Sequence, residues 1–412
     1  MRVALMTAGS RGDVAPFTGL GHALEQAGHR VTLVTHERFA GLAADAGLGF
    51  HALPVDPRAV LESGRGQGLH RSAGGAAKLV RMLSMARSLV GRMTDDLLAA
   101  ARESDALLLS ASFAPLGHAI GTGLGLPTVG LNLQPIGATA VFAPPLVTAR
   151  SWGPHANRLA GQGVNLALEE VFRDAVRDVR RRLGLPPSGP RASRRARERQ
   201  DWPVLHGFSP LVVPRPRDWR PGLRLAGYWW PYDPPDARLP DAVEDFLASG
   251  PPPVYVGLGS ATVPDPERLS RTVVTALRTA GLRGIVQRGW AELHAEGEDM
   301  LTVDELPHSL LFPRTAAVVH HGGAGTTAAT LRAGVPSVPV PIQFDAAFWA
   351  SRQVALGVAP AALPLRRVSP GHLAAALRAA TVDPAFTDRA RTLAGRLAAE
   401  DSTTPVLAAL PG

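Results

Sequence analysis

The chain has 412 residues, of which 45% are apolar, 19% charged and 5% aromatic; that length excludes one small domain and predicts roughly two or three, while the apolar fraction excludes wholesale disorder. The complete absence of cysteine excludes disulfides, thiolate metal sites and cysteine nucleophiles, leaving His, Asp and Glu as the available metal ligands. The formal net charge of +8 slightly favours anionic ligands, and the 43 glycines and 37 prolines, which lack a three-residue period, read as turn punctuation and exclude collagen.

In chain order, the sequence predicts an apolar strand over 2–6, a turn at Gly9–Asp13, a helix over Pro16–Ala27 ended by Gly28, and a strand over Arg30–Val34. Strand, helix and strand in that order begin a parallel β-α-β sheet. The alternation continues with a helix near Phe39–Ala46, a strand at Ala106–Leu109, a helix at Leu116–Leu124 and a strand at Thr128–Leu131, making one doubly wound unit. Between these elements, Pro57–Gly75 and Gln134–His155 lack periodicity and read as long surface loops, which often carry binding residues. The opening apolar run is too short for a signal peptide, and no later stretch reaches the roughly 20 apolar residues of a spanning helix. A soluble, cytoplasmic protein without a transmembrane segment is the expectation.

Asn165–Leu183 carries an arginine-rich helical pattern, and Arg191–Arg199 adds further arginines. Interleaved Glu169, Glu170, Asp174, Asp178 and Glu198, and the lack of stacking aromatics, favour a solvated helix and loop over a nucleic-acid surface. Prolines then crowd from Pro210 to Pro240, where fixed φ angles and missing donors disfavour regular structure. The expected organisation is an α/β domain over 1–209, a linker over 210–240, a second α/β domain over 241–380, and C-terminal helices over 381–412 that pack back toward the first domain. The second series comprises strand Val254–Leu258, helix Pro266–Ala280, strands Gly284–Gln287, Met300–Val303 and Ala317–Val319, and helix Thr326–Ala333.

Most of the chemical information lies in Val318-Val319-His320-His321-Gly322-Gly323-Ala324-Gly325-Thr326-Thr327, a strand running into a glycine-rich turn and a helix. Glycines admit a phosphate close to the backbone, and the free N–H groups and positive dipole end of the helix stabilise a diphosphate without a metal. His321 adds a hydrogen-bond donor. Downstream, Gly334-Val335-Pro336 leads into a short strand, and Pro341-Ile342-Gln343-Phe344-Asp345 follows at its carboxyl end, where α/β sheets place ligands. Asp345 is thereby a candidate for sugar hydroxyls.

The block His320–Gly357, together with Gly9-Ser10-Arg11-Gly12-Asp13, resembles the GT-B glycosyltransferases of family 1, especially bacterial sterol and glycopeptide or macrolide antibiotic members. The similarity runs over nearly the full length through Gly227-Tyr228-Trp229, Tyr255-Val256-Gly257-Leu258-Gly259-Ser260, Gly289-Trp290 and Leu306-Pro307-His308. It implies two facing Rossmann-like domains with an interdomain cleft, acceptor on the N-terminal side and nucleotide sugar on the C-terminal side, and transfer with inversion. It further implies that His321 and Thr326 contact the diphosphate, that Gly322, Gly323 and Gly325 let it approach, that Ser260 adds a hydroxyl, and that Val303 and Leu306 flank the nucleobase. Asp13 falls at the general base of antibiotic and sterol members, with Ser10 beside it on the acceptor side. Capping of the following helix is the competing role for Asp13, and the two are compatible. A hydrophobic aglycone suits Phe113, Phe142 and Pro144 and the Gly64–Arg71 loop, although core packing accounts for each of these residues equally well. Trp229 and Trp230 read as structural.

One departure concerns the sugar clamp: family members commonly carry Asp-Gln after the donor strand, whereas Asp345 is followed by Ala346. Loss of that amide leaves UDP-glucose and a dTDP-deoxysugar as alternative donors. There is no Asp-x-Asp and no two-histidine ligand spacing on a helix, so no metal is expected and the nucleotide sugar is a co-substrate, not a cofactor. The expected activity is an inverting, metal-independent glycosyltransferase moving a hexose or deoxyhexose to a hydroxyl of a lipophilic natural product or sterol. The alternatives are a non-catalytic homologue that binds a nucleotide sugar or activates a partner transferase, and a sugar-nucleotide epimerase of the same shape.

Overall fold

The computed structural model describes residues 1–55 and 75–411. The loop expected at 57–75, including Gly64–Arg71, lies almost wholly outside the described residues.

The first half alternates as the periodicity predicts. Strand β1 (Arg2–Met6) leads to α1 (Arg11–Gln26), β2 (Arg30–His36), α2 (Ala40–Asp45) and β3 (Gly49–Leu53). Helix α3 (Gly75–Arg102), β4 (Ala106–Ser110), α4 (Ala114–Leu124) and β5 (Thr128–Asn132) follow. Three helices, α5 (Pro154–Val171), α6 (Arg173–Arg182) and α7 (Pro190–Arg199), then precede the short strands β6 (Val204–His206) and β7 (Leu223–Leu225). All seven strands are parallel in the order β3-β2-β1-β4-β5-β6-β7. Strand geometry sends alternate side chains to opposite faces. Val3, Leu5 and Leu108 therefore join one buried cluster with Val14, Phe17 and Leu24 of α1, while Ala4, Met6, Leu107 and Leu109 join another with Leu97 of α3 and Leu116 of α4.

The second half repeats the arrangement with α8 (Asp241–Ala248), β8 (Val254–Gly257), α9 (Pro266–Ala280), β9 (Gly284–Gln287), β10 (Met300–Val303) and α10 (His308–Leu311). Strand β11 (Ala317–His320), α11 (Ala324–Ala333), β12 (Ser337–Pro339) and α12 (Ala346–Ala355) complete a five-stranded parallel sheet ordered β10-β9-β8-β11-β12. Helices α13 (Pro370–Val382), α14 (Pro384–Ala398) and α15 (Thr404–Leu407) end the chain. Val406 and Leu410 from this tail sit in the same cluster as Phe17 of α1, and Trp229 Nε1 donates to the Ser402 carbonyl at 3.1 Å. The Trp229 ring lies 5.6 Å from that of Phe17, a structural role as its sequence context suggests. No helix among the described residues is long and apolar enough to cross a membrane.

Several segments differ from their sequence reading: α1 starts at Arg11 and not at Pro16, which puts Asp13 in its first turn, and β3 and α3 have no counterpart there. The helix expected over 165–183 starts at Pro154 and breaks at Phe172, whose side chain is buried with Val171 and Val176 against the first sheet. The arginine run 191–199 lies wholly within α7, and it is not wholly solvated: Arg197 is buried and bonded to the carboxylate of buried Glu169. Long aliphatic stems and a paired head allow that burial.

Close backbone packing fixes the linker against α1. A Cβ on Gly19 would lie 2.1 Å from the Trp230 carbonyl oxygen, and Thr18 Oγ1 accepts the Tyr232 N–H at 2.9 Å. Gly91 of α3, by contrast, has nothing within 4 Å of the same notional atom. Gly19→Ala should destabilise by about 1–3 kcal/mol through overpacking, whereas Gly91→Ala should be neutral or stabilise by up to about 1 kcal/mol through helix propensity. Urea midpoints of the two variants check the contrast; equal effects would contradict it.

Candidate active site

The glycine-rich turn is shaped by two constraints. Gly322 has φ +83, which disfavours any side chain, and a Cβ there would also lie 2.8 Å from the Ala346 carbonyl oxygen. Gly323 is the N-cap of α11 and has no side chain with which to accept the first amides of that helix. The first turn of α11 contains no acidic residue. Its opening N–H groups have no intrahelical acceptors by geometry, so the positive end of this helix is left without an anion of its own.

The other wall is built by α1, whose first turn meets that of α11: the Gly12 Cα lies 3.6 Å from the position of a Cβ on Gly325. A Cβ at either glycine would meet its neighbours only at ordinary van der Waals distance, so the two helix starts lie in contact without overlap. Here the positive end is neutralised from within. Asp13, in the third position of α1, accepts the Ser10 N–H at 2.9 Å and the Ser10 hydroxyl at 3.0 Å through the same Oδ2. Burial pushes the Asp13 carboxyl above its usual range, against the opposing hydrogen bonds from Ser10 and Gln134. The turn before it is held by His36 Nε2, which accepts the Gly9 N–H at 3.2 Å, and by Thr7 Oγ1, which donates to the Asp13 carbonyl at 2.8 Å.

His321 sits behind the glycine turn with Gly259 and Gly323 packed on its ring, and its buried Nδ1 has no hydrogen-bond partner. Burial pushes its pKa down to about 4, so the ring is neutral at pH 7. His308, stacked on Phe312 at 4.2 Å, is pushed down to about 3 by burial and by the nearby Arg11 and His321. Both sides are joined over this region by an Arg11–Glu305 ion pair at 2.9 Å and by the Arg38 guanidinium, 5.9 Å from the centre of the Trp290 ring.

Asp345 occupies the N-cap position of α12, without a side-chain bond to its amides, and is 8% exposed. Trp349 Nε1 donates to its Oδ2 at 2.6 Å. Burial nevertheless pushes its carboxyl up to about 6, and the negative charge of Asp13 adds to the rise. The preceding Phe344 has φ +53 and a side chain 51% exposed, a strained backbone at the mouth of the site. Ala346 is buried under Gly322.

The structure thus brings Ser10, Asp13, His321, Gly322, Gly323, Gly325, Thr326 and Asp345 near one another where the starts of α1 and α11 meet. Ser260 is half-buried in the turn after β8, whose Gly259 carbonyl accepts the Trp290 N–H at 2.9 Å. Val303 is buried at the end of β10, and Leu306 is partly buried in the loop that follows. The acceptor residues fare differently. Phe113, the N-cap residue of α4, is 0% exposed in the core cluster on one face of the first sheet. Pro144 is buried, and Phe142 packs on Phe348 of α12 with ring centres 5.2 Å apart. The exposed apolar side chains of that loop are Val141, Val147 and Trp152. Sequence reasoning missed Gln134 and His36 beside Asp13 and the Arg11–Glu305 pair, since each acts through a partner far away in the chain. Among the described residues no group of His, Asp and Glu is arranged to hold a metal ion.

Comparison with known proteins matches residues 3–111 to the N-terminal domain of glycosyltransferase family 28 and residues 287–411 to the C-terminal domain of erythromycin biosynthesis protein CIII-like proteins. The chain is 39% identical to the O-mycaminosyltylonolide 6-deoxyallosyltransferase of Streptomyces fradiae, over 97% of this chain and 94% of that one. It is 32% identical to a sterol 3-beta-glucosyltransferase of Arabidopsis thaliana over 97% of its own length, and spans 64% of that longer protein. In fold it is similar to the glycosyltransferase of kitacinnamycin, with a TM-score of 0.71, 19% identity and coverage of 100% and 99% of the two chains. A glycosyltransferase of Streptomyces sp. SF2575 complexed with thymidine diphosphate is similar with a TM-score of 0.65, 22% identity and 99% coverage of both chains.

A buried carboxyl raised to about 6 has a definite consequence for stability. Its proton is held more tightly in the folded than in the unfolded chain, so its favourable contribution is present at low pH and lost as pH rises from about 4 to about 6. Asp345→Asn keeps an oxygen for Trp349 and removes the charge. It should match wild type near pH 4 and exceed it at pH 7.5 by up to about 3 kcal/mol, read from urea midpoints at both values. A variant less stable than wild type at pH 7.5 would contradict the assignment.

Proposed function

The chain belongs to the GT-B glycosyltransferases of family 1, and on that premise we propose that it transfers a hexose or deoxyhexose from a UDP- or dTDP-sugar to a hydroxyl of a lipophilic natural product or sterol, with inversion and without a metal. The observation that carries this reading is the meeting of the two helix starts, one holding its own carboxylate and the other lacking an anion. On the α11 side the diphosphate supplies the missing negative charge. Each charged hydrogen bond to a first-turn amide or to His321 contributes roughly 1.5–3 kcal/mol, which is the charge compensation a metal would otherwise give.

In this reading the acceptor oxygen attacks the anomeric carbon from the side of α1 as the bond to the diphosphate oxygen breaks on the side of α11. The acceptor proton passes to the Asp13 carboxylate, and the electron pair of the broken bond remains on the diphosphate. Attack opposite the leaving group inverts the anomeric centre. A carboxylate in its ordinary range is a weak base toward an alcohol; burial of Asp13 moves it in the useful direction. In this reading Asp345 accepts from sugar hydroxyls. With Ala346 beside it, no amide shares that task, which suits a sugar with fewer hydroxyls to recognise. The exposed apolar residues of the 134–155 segment and Phe344 offer contact to a lipophilic acceptor. The relatives named as a 6-deoxyallosyltransferase and a sterol glucosyltransferase support that range of donors and acceptors.

A donor screen with UDP-glucose and dTDP-deoxysugars against macrolide and sterol acceptors tests the proposal. Asp13→Asn should lower kcat by roughly 10²- to 10⁴-fold, the range of a lost general base, while His321→Ala should chiefly weaken donor binding. The wild-type rate should fall as pH drops through the raised Asp13 pKa, survive EDTA, and give a product of inverted anomeric configuration by NMR. Unchanged turnover in both variants would defeat the site, and no turnover with any pair would favour the non-catalytic alternative.

A further inference from the structure

Behind the glycine turn lies a buried polar cluster. His320, Thr327, Ser337 and Gln353 are each 0% exposed. Gln353 Oε1 accepts twice, from the Ser337 hydroxyl at 2.7 Å and from His320 Nε2 at 3.1 Å. The direction of the second bond follows from the other side of the ring, because the Gly322 N–H donates to His320 Nδ1 at 3.2 Å and so leaves Nε2 as the protonated nitrogen. The Gln353 amide donates in turn to Thr327 Oγ1 at 3.3 Å and to the Trp349 carbonyl at 3.4 Å. One side chain of α12 therefore ties together the end of β11, the start of β12 and the first turn of α11.

We propose that Gln353 is a positioning residue for the diphosphate site: through His320 it turns the Gly322 N–H inward, and through Thr327 it fixes the start of α11, so that the next amides face the crevice. This role rests on the diphosphate reading given above. His320 is neutral, since burial pushes it down to about 3, and so remains able to accept from Gly322. An apolar residue at position 353 would leave the Nε2 proton of His320, the Ser337 hydroxyl and Thr327 Oγ1 without their partner in a dry site, and the turn would relax to satisfy them.

The test is the difference in affinity between nucleotide and nucleoside, measured by calorimetry with dTDP against thymidine and UDP against uridine. Gln353→Met preserves side-chain length and should weaken dTDP or UDP binding by roughly tenfold or more, with nucleoside affinity unchanged. Wild type that binds nucleotide no better than nucleoside would contradict the diphosphate reading itself. A wild-type preference that persists unaltered in Gln353→Met, or a variant in which nucleoside binding falls equally, would overturn the positioning role alone. If Gln353→Met does not fold, Thr327→Val and amide exchange decide. Thr327→Val should weaken nucleotide binding selectively. In wild type the Gly322 amide should exchange slowly for a loop residue, and exchange as fast as in an open loop would contradict the proposal.

Discussion

Two helices that begin at the same place present like partial charges to each other, about half an elementary charge at each start. An arrangement of that kind is unfavourable unless anions lie near it, and the rest of the site can be understood as the answer to that requirement. On α1 the answer is internal: Asp13 accepts from Ser10 within its own first turn. On α11 nothing in the first turn performs the same task, and Gly323 has no side chain to substitute for it. The glycines on both sides keep Cβ atoms out of the gap, so that the unanswered charge lies open to a ligand.

Four ionisable groups around this gap are displaced in the same sense. Asp13 and Asp345 are raised, and His308 and His321 are lowered, with burial the largest cause in each case. Every one of them is pushed toward its neutral form, which costs folding stability and lowers the local charge before a ligand arrives. A diphosphate would favour a protonated His321, and the acceptor hydroxyl's proton would be taken up by a carboxyl already biased to accept it. The interdomain ion pair between Arg11 and Glu305 sits beside this set and draws the two halves together at the point where the chemistry is proposed.

Much of this was legible in the sequence, for definable reasons. Alternation of buried residues along β1, β4 and β8 is a local property, and the glycine turn after β11 announces itself by composition. Strands β6 and β7 leave no signal in the sequence, because three residues near prolines show no period. The break at Phe172 depends on where that ring is buried, which only the tertiary fold decides. Within the site, Asp13 and His321 stand in recognisable turns, whereas Gln134 and Gln353 carry no local signal and acquire their roles from partners more than 30 residues distant or from a different element. The acceptor residues illustrate the opposite error. Phe113 looks like a loop aromatic in one dimension and is a core side chain in three.

The most direct test of the central claim is the structure of the protein with UDP or dTDP bound. Diphosphate oxygens should lie within about 3 Å of the amides at the start of α11, the distance of an N–H···O hydrogen bond, on the side facing Asp13. A nucleotide seated elsewhere, or a diphosphate at α11 with Asp13 turned away from the same crevice, would contradict it.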